Sequence, residues 1–260
     1  MSDQQKYLNK LKNKHVLIIG GSSGIGFGVA EACLEYGARV TISSSSSERL
    51  TAAVNKLKTA YPSAAASRIA AATCDLGDAT TLESNVAALF KSVGEINHVV
   101  YTAGDGLLRI PLAEVTVAQM QKVTLVRVNG VILAAREAVK YLPASPESSF
   151  TITSGSAADK PIPGTAATAF FAGSHASMAR SLALDLKPIR FNVVGPGAVD
   201  TELWKMPEEQ KKAMFKQFEA QMTTGRVGRV EDVAEAFLYC MKDTNVSGSV
   251  ISTNGGAFLT

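Results

Sequence analysis

The sequence is poor in the residues that build metal sites and disulfide frameworks. Its 260 residues include three cysteines, three histidines and one tryptophan. Cys33, Cys74 and Cys240 are isolated, odd in number and without metal-ligand spacing. We therefore expect buried, reduced thiols and no bound metal.

Long apolar runs and a strong charge of one sign are also missing. No segment is apolar over the length that a bilayer requires, and residues 1–14 lack the apolar core of a signal peptide. These absences predict a cytoplasmic protein without a membrane partner. The formal net charge of +3 is too small for a nucleic-acid surface, although it suits small acidic ligands such as phosphates.

The chain contains a regular alternation of strand-sized apolar runs and helical stretches. Strands are predicted over 15–19, 39–43, 68–74, 98–102, 150–153, 190–194 and 249–252. Helices are predicted over about 26–36, 47–60, 79–93, 166–186 and 230–241, with helical segments through 112–142. This alternation indicates a parallel sheet with helices on both faces. We predict one doubly wound α/β domain over 1–260, with an insertion at about 201–224.

A glycine-rich turn follows the first predicted strand and opens the first predicted helix. It reads Gly20-Gly21-Ser22-Ser23-Gly24-Ile25-Gly26. Glycines allow a tight turn and a close approach of the backbone to a pyrophosphate, which then lies at a helix N-terminus. The place of this turn in a βαβ unit predicts a dinucleotide site, and a merely structural turn is the alternative.

Further motifs resemble the short-chain dehydrogenase/reductase family. Residues 19–26 resemble its Thr-Gly-x-x-x-Gly-x-Gly signature, with Ile19 at the Thr position. Tyr101-Thr102-Ala103-Gly104 resembles the family's Asn-Asn-Ala-Gly, with both Asn lost. The other matching segments are Cys74-Asp75-Leu76, residues 181–186, Pro196-Gly197 with Val199 and Thr201, and Asn254-Gly255-Gly256. The resemblance covers about residues 14–258. It implies a Rossmann fold with a nicotinamide cofactor. By this resemblance the cofactor contacts Asp75 and Leu76 at the adenine, then Ala103 and Gly104, and at the nicotinamide end Pro196, Gly197, Val199 and Thr201.

The end of the second predicted strand bears on the choice between NAD(H) and NADP(H). Enzymes selective for NAD(H) usually place a carboxylate there, which binds the ribose 2′-hydroxyl. Here Ser43, Ser44 and Ser45 occupy this region, and hydroxyl groups can donate to a 2′-phosphate. We therefore predict NADP(H), with Arg39 and Arg49 only flanking the run. Ser45 and Glu48 also fit a helix capping box, which is a second reason for serine.

The resemblance fails at the catalytic tetrad of the family. Counting back from residues 181–184, the Tyr position falls on Thr168, the Lys position on Ala172 and the Ser position on Gly155. The Asn position falls on Arg127, and Asn129 lies on another helix face. Ketone reduction develops an alkoxide that needs a proton, and losing a positioned general acid costs on the order of 10²–10⁴ in rate. An iminium ion accepts hydride without forming an oxyanion.

Five residues are therefore candidates for the chemistry of this altered site. Arg127 is expected to face the nicotinamide and to anchor a carbonyl, a carboxylate or a cofactor phosphate; a solvated helix residue is the alternative. Ser154 and Ser156 flank the lost Ser, and Thr168 is a weak proton donor. Asp159 could stabilise a cationic substrate, or form a surface ion pair with Lys160. For His175, which follows on the same long helix, packing or a subunit contact is expected.

A narrower resemblance is to fungal NADPH-dependent reductases of bicyclo[2.2.2]diazaoctane indole alkaloid pathways that also guide a Diels–Alder cyclisation. This branch lacks the Tyr and Lys and has an Arg at the position of Arg127. Its loop Asp and Trp correspond here to Ile162 and Thr165, with Asp159 displaced. The insertion carries an apolar set that is expected to shape a bulky pocket: Trp204, Met206, Phe215 and Phe218.

Three functions follow as hypotheses. The leading one is an NADP(H)-dependent oxidoreductase that reduces an imine, an iminium ion or a similarly activated small molecule in secondary metabolism. The alternatives are a non-redox cyclase or isomerase that keeps the cofactor as a scaffold, and a catalytically silent NADPH-binding protein. The family resemblance also implies a homodimer or homotetramer that forms through the two central helices.

Overall fold

The structure is a computed structural model that describes residues 4–64, 67–106 and 109–259. These residues form a seven-stranded sheet in which all neighbouring strands are parallel. The strands are β1 (His15–Ile19), β2 (Arg39–Ser44), β3 (Ile69–Thr73), β4 (His98–Tyr101), β5 (Ser149–Thr153), β6 (Arg190–Pro196) and β7 (Val250–Thr253). Their order across the sheet is β3-β2-β1-β4-β5-β6-β7, which confirms the predicted fold class.

Helices cover both faces of the sheet. They are α1 (Gly24–Glu35), α2 (Ser47–Ala60), α3 (Leu82–Val93), α4 (Val117–Thr124), α5 (Gly130–Ala138), α6 (Ala166–Asp185), α7 (Glu208–Glu219) and α8 (Val230–Lys242). One apolar core lies between the sheet and α1, α2 and α8, and a second lies between the sheet and α3, α5 and α6.

Burial on both faces explains why the central strands read as continuous apolar runs. All five residues of β1 are buried, and so are all four of β4. The strand order reverses between these two neighbours, because β2 follows β1 on one side and β5 follows β4 on the other. In an open parallel sheet, the crevice outside the carboxyl ends of such strands is where ligands bind. The fold thus places the site above β1 and β4.

The helical segments predicted through 112–142 include α4 and α5, and a π-helical turn over Leu125–Asn129 separates them. One local prediction needs correction. The capping box predicted for Ser45 is wrong: the extended Ser46 is the N-cap of α2, and its hydroxyl accepts the Arg49 N–H at 3.2 Å. The helix begins one residue later than that pattern requires, which leaves Ser45 outside it.

The cysteines are buried and free, as expected. Burial raises the pKa of the Cys33 thiol to about 12 and that of Cys74 to about 11, so both are inert thiols at neutral pH. Within the described ranges, no helix has the length and apolar character needed to cross a bilayer.

Candidate functional site

The glycine-rich turn after β1 is held tightly against neighbouring backbone. Gly20 has φ +93°, and its N–H donates to the Ser43 carbonyl at 2.9 Å. A Cβ at Gly20 would lie 2.5 Å from the Ala103 nitrogen, and one at Gly26 would overlap the Gly20 carbonyl oxygen. A residue with a side chain would therefore be both strained and obstructed at Gly20. The turn and the loop after β4 form one closely packed cradle at the carboxyl edge of the sheet.

The N-terminus of α1 already holds an anionic group of the chain itself. Ser23 is the extended N-cap, and its side chain makes no capping hydrogen bond. The Gly24 N–H donates instead to Glu202 Oε2 at 3.0 Å, and Ile25 follows in the first turn, packed against the core. Free N–H groups and the helix dipole favour a negative charge at this place. The same groups suit a pyrophosphate.

The serine run offers both hydroxyl groups and a cation. Ser22 Oγ lies 3.0 Å from Ser44 Oγ, so the glycine turn and the end of β2 are hydrogen-bonded to each other. Ser45 is exposed, and Arg49 Nη2 donates to its Oγ at 3.4 Å. The Ser43 side chain is buried, so this residue contributes its backbone carbonyl rather than its hydroxyl. Sequence alone placed Arg49 only beside the run, whereas the first turn of α2 brings its guanidinium back to it.

The remaining predicted cofactor contacts lie at the same edge. Asp75 follows β3, is exposed and accepts the Gly77 N–H at 2.9 Å, while Leu76 is buried beneath it. On the other side, Pro196 ends β6. A Cβ at Gly197 would lie 2.9 Å from the Asn254 Cα.

Val199 and Thr201 continue this loop toward α1. Val199 forms an isolated bridge with Gly228, and the side chain of Thr201 lies close to Gly24. The structure therefore places the loop after β6 beside the glycine-rich turn at Gly24.

Arg127 lies within the π-helical turn and reaches back over the loop after β4. Its guanidinium donates to the Asp105 carbonyl and covers Gly104, where any Cβ would overlap it. The carbon Cζ lies 5.0 Å from the centre of the Phe171 ring, which is a cation–π contact. Burial lowers the pKa of the guanidinium, the Asp105 charge opposes this effect, and the group stays protonated.

Two side chains that the sequence did not assign to the site hold the backbone around Arg127. The Tyr101 hydroxyl donates to the Val126 carbonyl at 2.6 Å, and His175 Nε2 lies 2.8 Å from the Arg127 carbonyl oxygen. Burial raises the pKa of the Tyr101 phenol far above its ordinary value and lowers that of His175. Both groups are thus neutral hydrogen-bond donors at neutral pH. The sequence signal for this arrangement was Tyr101 itself, which stands where the family's Asn-Asn-Ala-Gly motif has its first Asn.

The other candidate catalytic residues lie on β5, the loop after it and α6. Ser154 Oγ donates to the Ala172 carbonyl at 3.1 Å, and Thr168 is buried in α6. Ser156 starts a short 3₁₀ turn and is half-buried, whereas Asp159 at its end is exposed. A hydroxyl on Thr168 or Ser154 thus faces a packed interior, while Asp159 faces solvent.

Two further positions near the candidate catalytic residues are Lys160, which follows Asp159, and Gly155, which stands at the family's Ser position. Lys160 Nζ donates to the Ala257 carbonyl at 2.9 Å. Among the described residues, its two chain neighbours aside, none has an atom within 4 Å of a Cβ built at Gly155.

A family model for the SDR-like Rossmann domain matches residues 7–260. The chain belongs to the short-chain dehydrogenase/reductase family. In this family the fold implies a nicotinamide cofactor, and the glycine cradle described above lies where such a cofactor binds.

Individual members of the family are similar over their whole length. The short-chain dehydrogenase/reductase malC of Malbranchea aurantiaca is 40% identical, and fsr5 of Gibberella fujikuroi is 41% identical; each comparison covers 100% of both chains. The solved structure of MalC, described as a reductase/Diels-Alderase, superposes with a TM-score of 0.93 over 98% of this chain and 100% of its own. An NADPH-bound short-chain oxidoreductase from Pseudomonas aeruginosa PAO1, described as containing an atypical catalytic center, is 27% identical with a TM-score of 0.81, covering 94% and 96%.

The segment after Thr201 has its own aromatic core. The Trp204 ring lies 5.8 Å from Phe215 and 6.1 Å from Phe218, and its Nε1 donates to the Val199 carbonyl at 2.7 Å. A pocket of about 470 Å³ lies between this segment and α1, and Trp204 and Met206 line it. Of the four residues that were expected to shape a bulky pocket, the three aromatic ones therefore pack mainly against one another, and Met206 is the more exposed one.

Proposed function

We propose that this short-chain dehydrogenase/reductase is an NADP(H)-dependent reductase of an imine, an iminium ion or a similarly activated small molecule in secondary metabolism. The observation that carries the proposal is the placement of Arg127, which occupies the family's Asn position and whose guanidinium lies over Gly104. The Tyr, Lys and Ser positions hold Thr168, Ala172 and Gly155, none of which is an effective acid. The site keeps a cofactor cradle and has a fixed cation in place of a proton relay.

The side chains at the end of β2 support NADP(H) over NAD(H). Arg49 supplies a guanidinium beside Ser45, and the run 43–47 consists of serines, so none of its side chains is a carboxylate that would repel a 2′-phosphate. Arg39 makes no contribution here, because its Nη2 lies 3.0 Å from His15 Nδ1 at the opposite edge of the sheet. The NADPH in the Pseudomonas aeruginosa relative is consistent with this choice.

Reduction of a C=N⁺ group does not need a proton from an acidic side chain of the protein. When bound, the cofactor supplies the hydride; the hydride adds to the carbon of a C=N⁺ group, and the π electrons become the lone pair of a neutral amine. Arg127 would donate to a carbonyl or carboxylate elsewhere on the substrate and so orient it. Asp159, exposed at the open side of the site, would attract a cationic substrate.

The test is the oxidation of NADPH by the purified protein with cyclic iminium ions and imines, beside the matching ketones. We expect turnover of the C=N substrates only. Arg127→Ala should lower kcat/KM by roughly 10- to 100-fold, as the loss of a charged hydrogen bond does, with little change in NADPH affinity. Arg136→Ala, which removes an exposed arginine, is the matched control. Brisk ketone reduction would overturn the proposal, and NADPH binding without any turnover would favour a silent binding protein.

A second candidate function is a cyclase that uses the cofactor as a scaffold. Similarity to the MalC reductase/Diels-Alderase over the whole chain favours it, and the open space at Gly155 leaves room for a bulky substrate. Substrate conversion at an equal rate with NADP⁺ and NADPH would identify a cyclase, because reduction cannot proceed with the oxidised cofactor.

The expected homodimer or homotetramer is also part of the proposal, as is the cytoplasmic location. α5 and α6 expose large apolar side chains, with Ile132 at 47%, Phe170 at 56% and Leu184 at 71% exposure. Apolar groups of this size on neighbouring helices suit a contact with a second copy. Sedimentation velocity would measure the number of subunits.

A further inference from the structure

The π-helical turn Leu125–Asn129 is the irregular element of the site. A single wide turn inside a helix displaces the backbone from the regular i→i+4 pattern, and such turns are frequent at functional sites. Here the turn carries Arg127, the candidate catalytic residue. What fixes this turn therefore also fixes the guanidinium.

From the sheet side, Tyr101 holds the turn. Its ring is 2% exposed in the core, and its hydroxyl donates to the Val126 carbonyl at 2.6 Å. The hydroxyl also needs the space above Gly130, since a Cβ on that glycine would lie 2.5 Å from it. The Tyr101 phenol can reach the π-helical turn only because Gly130, the residue that follows the turn, has no side chain.

From the side of α6, His175 holds the next carbonyl along the chain. Its side chain is buried, at 1% exposure, and Nε2 lies 2.8 Å from the Arg127 carbonyl oxygen. A carbonyl only accepts, so Nε2 carries the proton and Nδ1 is bare in the neutral ring. Nδ1 is buried without a hydrogen-bond partner among the residues the structure describes, which agrees with this tautomer.

The same face of α6 also holds the Arg127 side chain. Phe171 lies one helical turn before His175, and its ring is tilted against the imidazole, with the two ring centres 6.0 Å apart. The Cζ atom of Arg127 lies 5.0 Å from the centre of the same Phe171 ring. Backbone and side chain of Arg127 are therefore fixed by one helix, while β4 fixes the carbonyl before it. We propose that Tyr101 and His175 are positioning residues that clamp the π-helical turn from two sides and so aim Arg127 at the cofactor cradle.

This inference rests on the proposed function of Arg127, and its test separates the two. Three variants are compared with the wild type: Tyr101→Phe, His175→Leu and His175→Gln, whose side-chain amide can donate from nearly the place of Nε2. The first readout is hydrogen exchange of the backbone amides of 125–131, which needs no substrate. The second is the split between kcat and KM for NADPH-dependent turnover.

We expect Tyr101→Phe and His175→Leu to speed exchange in 125–131 at least about tenfold and to lower kcat by a similar factor, with NADPH affinity nearly unchanged. In His175→Gln, both the exchange rates in 125–131 and kcat should be close to those of the wild type. The controls are Tyr141→Phe and His98→Leu, which alter a phenol and a buried histidine away from the turn and should leave exchange in 125–131 as in the wild type.

Unchanged exchange in Tyr101→Phe and His175→Leu would overturn the clamp. So would faster exchange with an unchanged kcat in these variants when Arg127→Ala itself lowers kcat. Should His175→Leu fail to fold, Tyr101→Phe carries the test, because it removes a single oxygen atom. A different result marks failure of the proposed function alone: Arg127→Ala would leave turnover unchanged while exchange still responds to the clamp variants.

Discussion

The two edges of the sheet use similar residues for opposite purposes. At the amino edge, β1, β4, β5 and β6 begin with His15, His98, Ser149 and Arg190, and these polar side chains are buried. Arg190 alone makes four hydrogen bonds, to the carbonyls of Pro146, Cys240, Met241 and Val246. Polar groups that are fully used by the protein itself stabilise the fold.

At the carboxyl edge, comparable groups retain donors or charge for a ligand. Arg127 makes one described hydrogen bond, to the Asp105 carbonyl, and Arg49 and Asp75 are exposed. The comparison of Arg190 with Arg127 shows that the residue type alone does not identify an arginine that serves a ligand. What identifies it is whether backbone carbonyls already occupy its donors.

We expect the strongest change in the free energy of unfolding at Arg190 and a much weaker one at Arg127. Arg190→Ala removes the donors of four buried carbonyls and should destabilise the protein by about 4 kcal/mol. Arg127→Ala should cost only about 1 kcal/mol in stability, while it lowers turnover. Urea unfolding of both variants measures the contrast. Equal destabilisation would mean that the two edges do not differ in this way.

A smaller effect sharpens the assignment of the cofactor at the carboxyl edge. Arg49→Ala removes the cation beside Ser45 and should weaken NADPH binding roughly tenfold, as expected for one charge-assisted phosphate contact, while NADH binding changes little. Arg39→Ala is the control, because that guanidinium lies at the amino edge. Fluorescence titration with both cofactors decides; an equal loss for NADH would show that Arg49 does not contact the 2′-phosphate.

We expect the weakest change in the pH dependence of stability, which His98 affects at the amino edge. Burial, with Arg190 nearby, lowers the pKa of His98 from 6.5 to about 3. Between these values the unfolded chain binds a proton that the folded chain does not, so stability is complete above 6.5 and falls as the pH decreases. The loss for His98 should reach roughly 1 kcal/mol by about pH 5.5.

His98→Gln should remove this part of the pH dependence, whereas His15 and His175, whose pKa values burial also lowers, keep theirs. Urea unfolding at neutral and mildly acidic pH compares the variant with the wild type. An identical slope for both would show that His98 is protonated as readily in the folded chain as in the unfolded one.

Much of the carboxyl edge was predictable because it depends on the local sequence. The strand at 15–19 and the helix at 47–60 have the bounds that the apolar pattern predicts. The glycine turn was predictable because only glycine tolerates the φ of Gly20 and the approach of Ala103. The position of Arg49 was not, since it depends on how the first turn of α2 folds back over Ser45.

The π-helical turn could not be predicted, because residues 117–138 show a helical pattern throughout. The turn depends on contacts distant in sequence: Tyr101 comes from β4 and His175 from α6, at separations of 25 and 48 residues from their partners. The substitution of Asn by Tyr at 101 was visible, but its consequence required the space above Gly130. Local propensity yields the helix, and tertiary contacts yield the irregularity within it.

Trp204 has one practical consequence. Because the chain has a single tryptophan, all indole emission comes from the segment that follows Thr201. Its hydrogen bond to the Val199 carbonyl would be lost if that segment swung away from α1, whereas Phe215 would move together with the indole. The fluorescence of Trp204 would therefore report such a movement without an added label. It could be followed while the cofactor or the substrate binds.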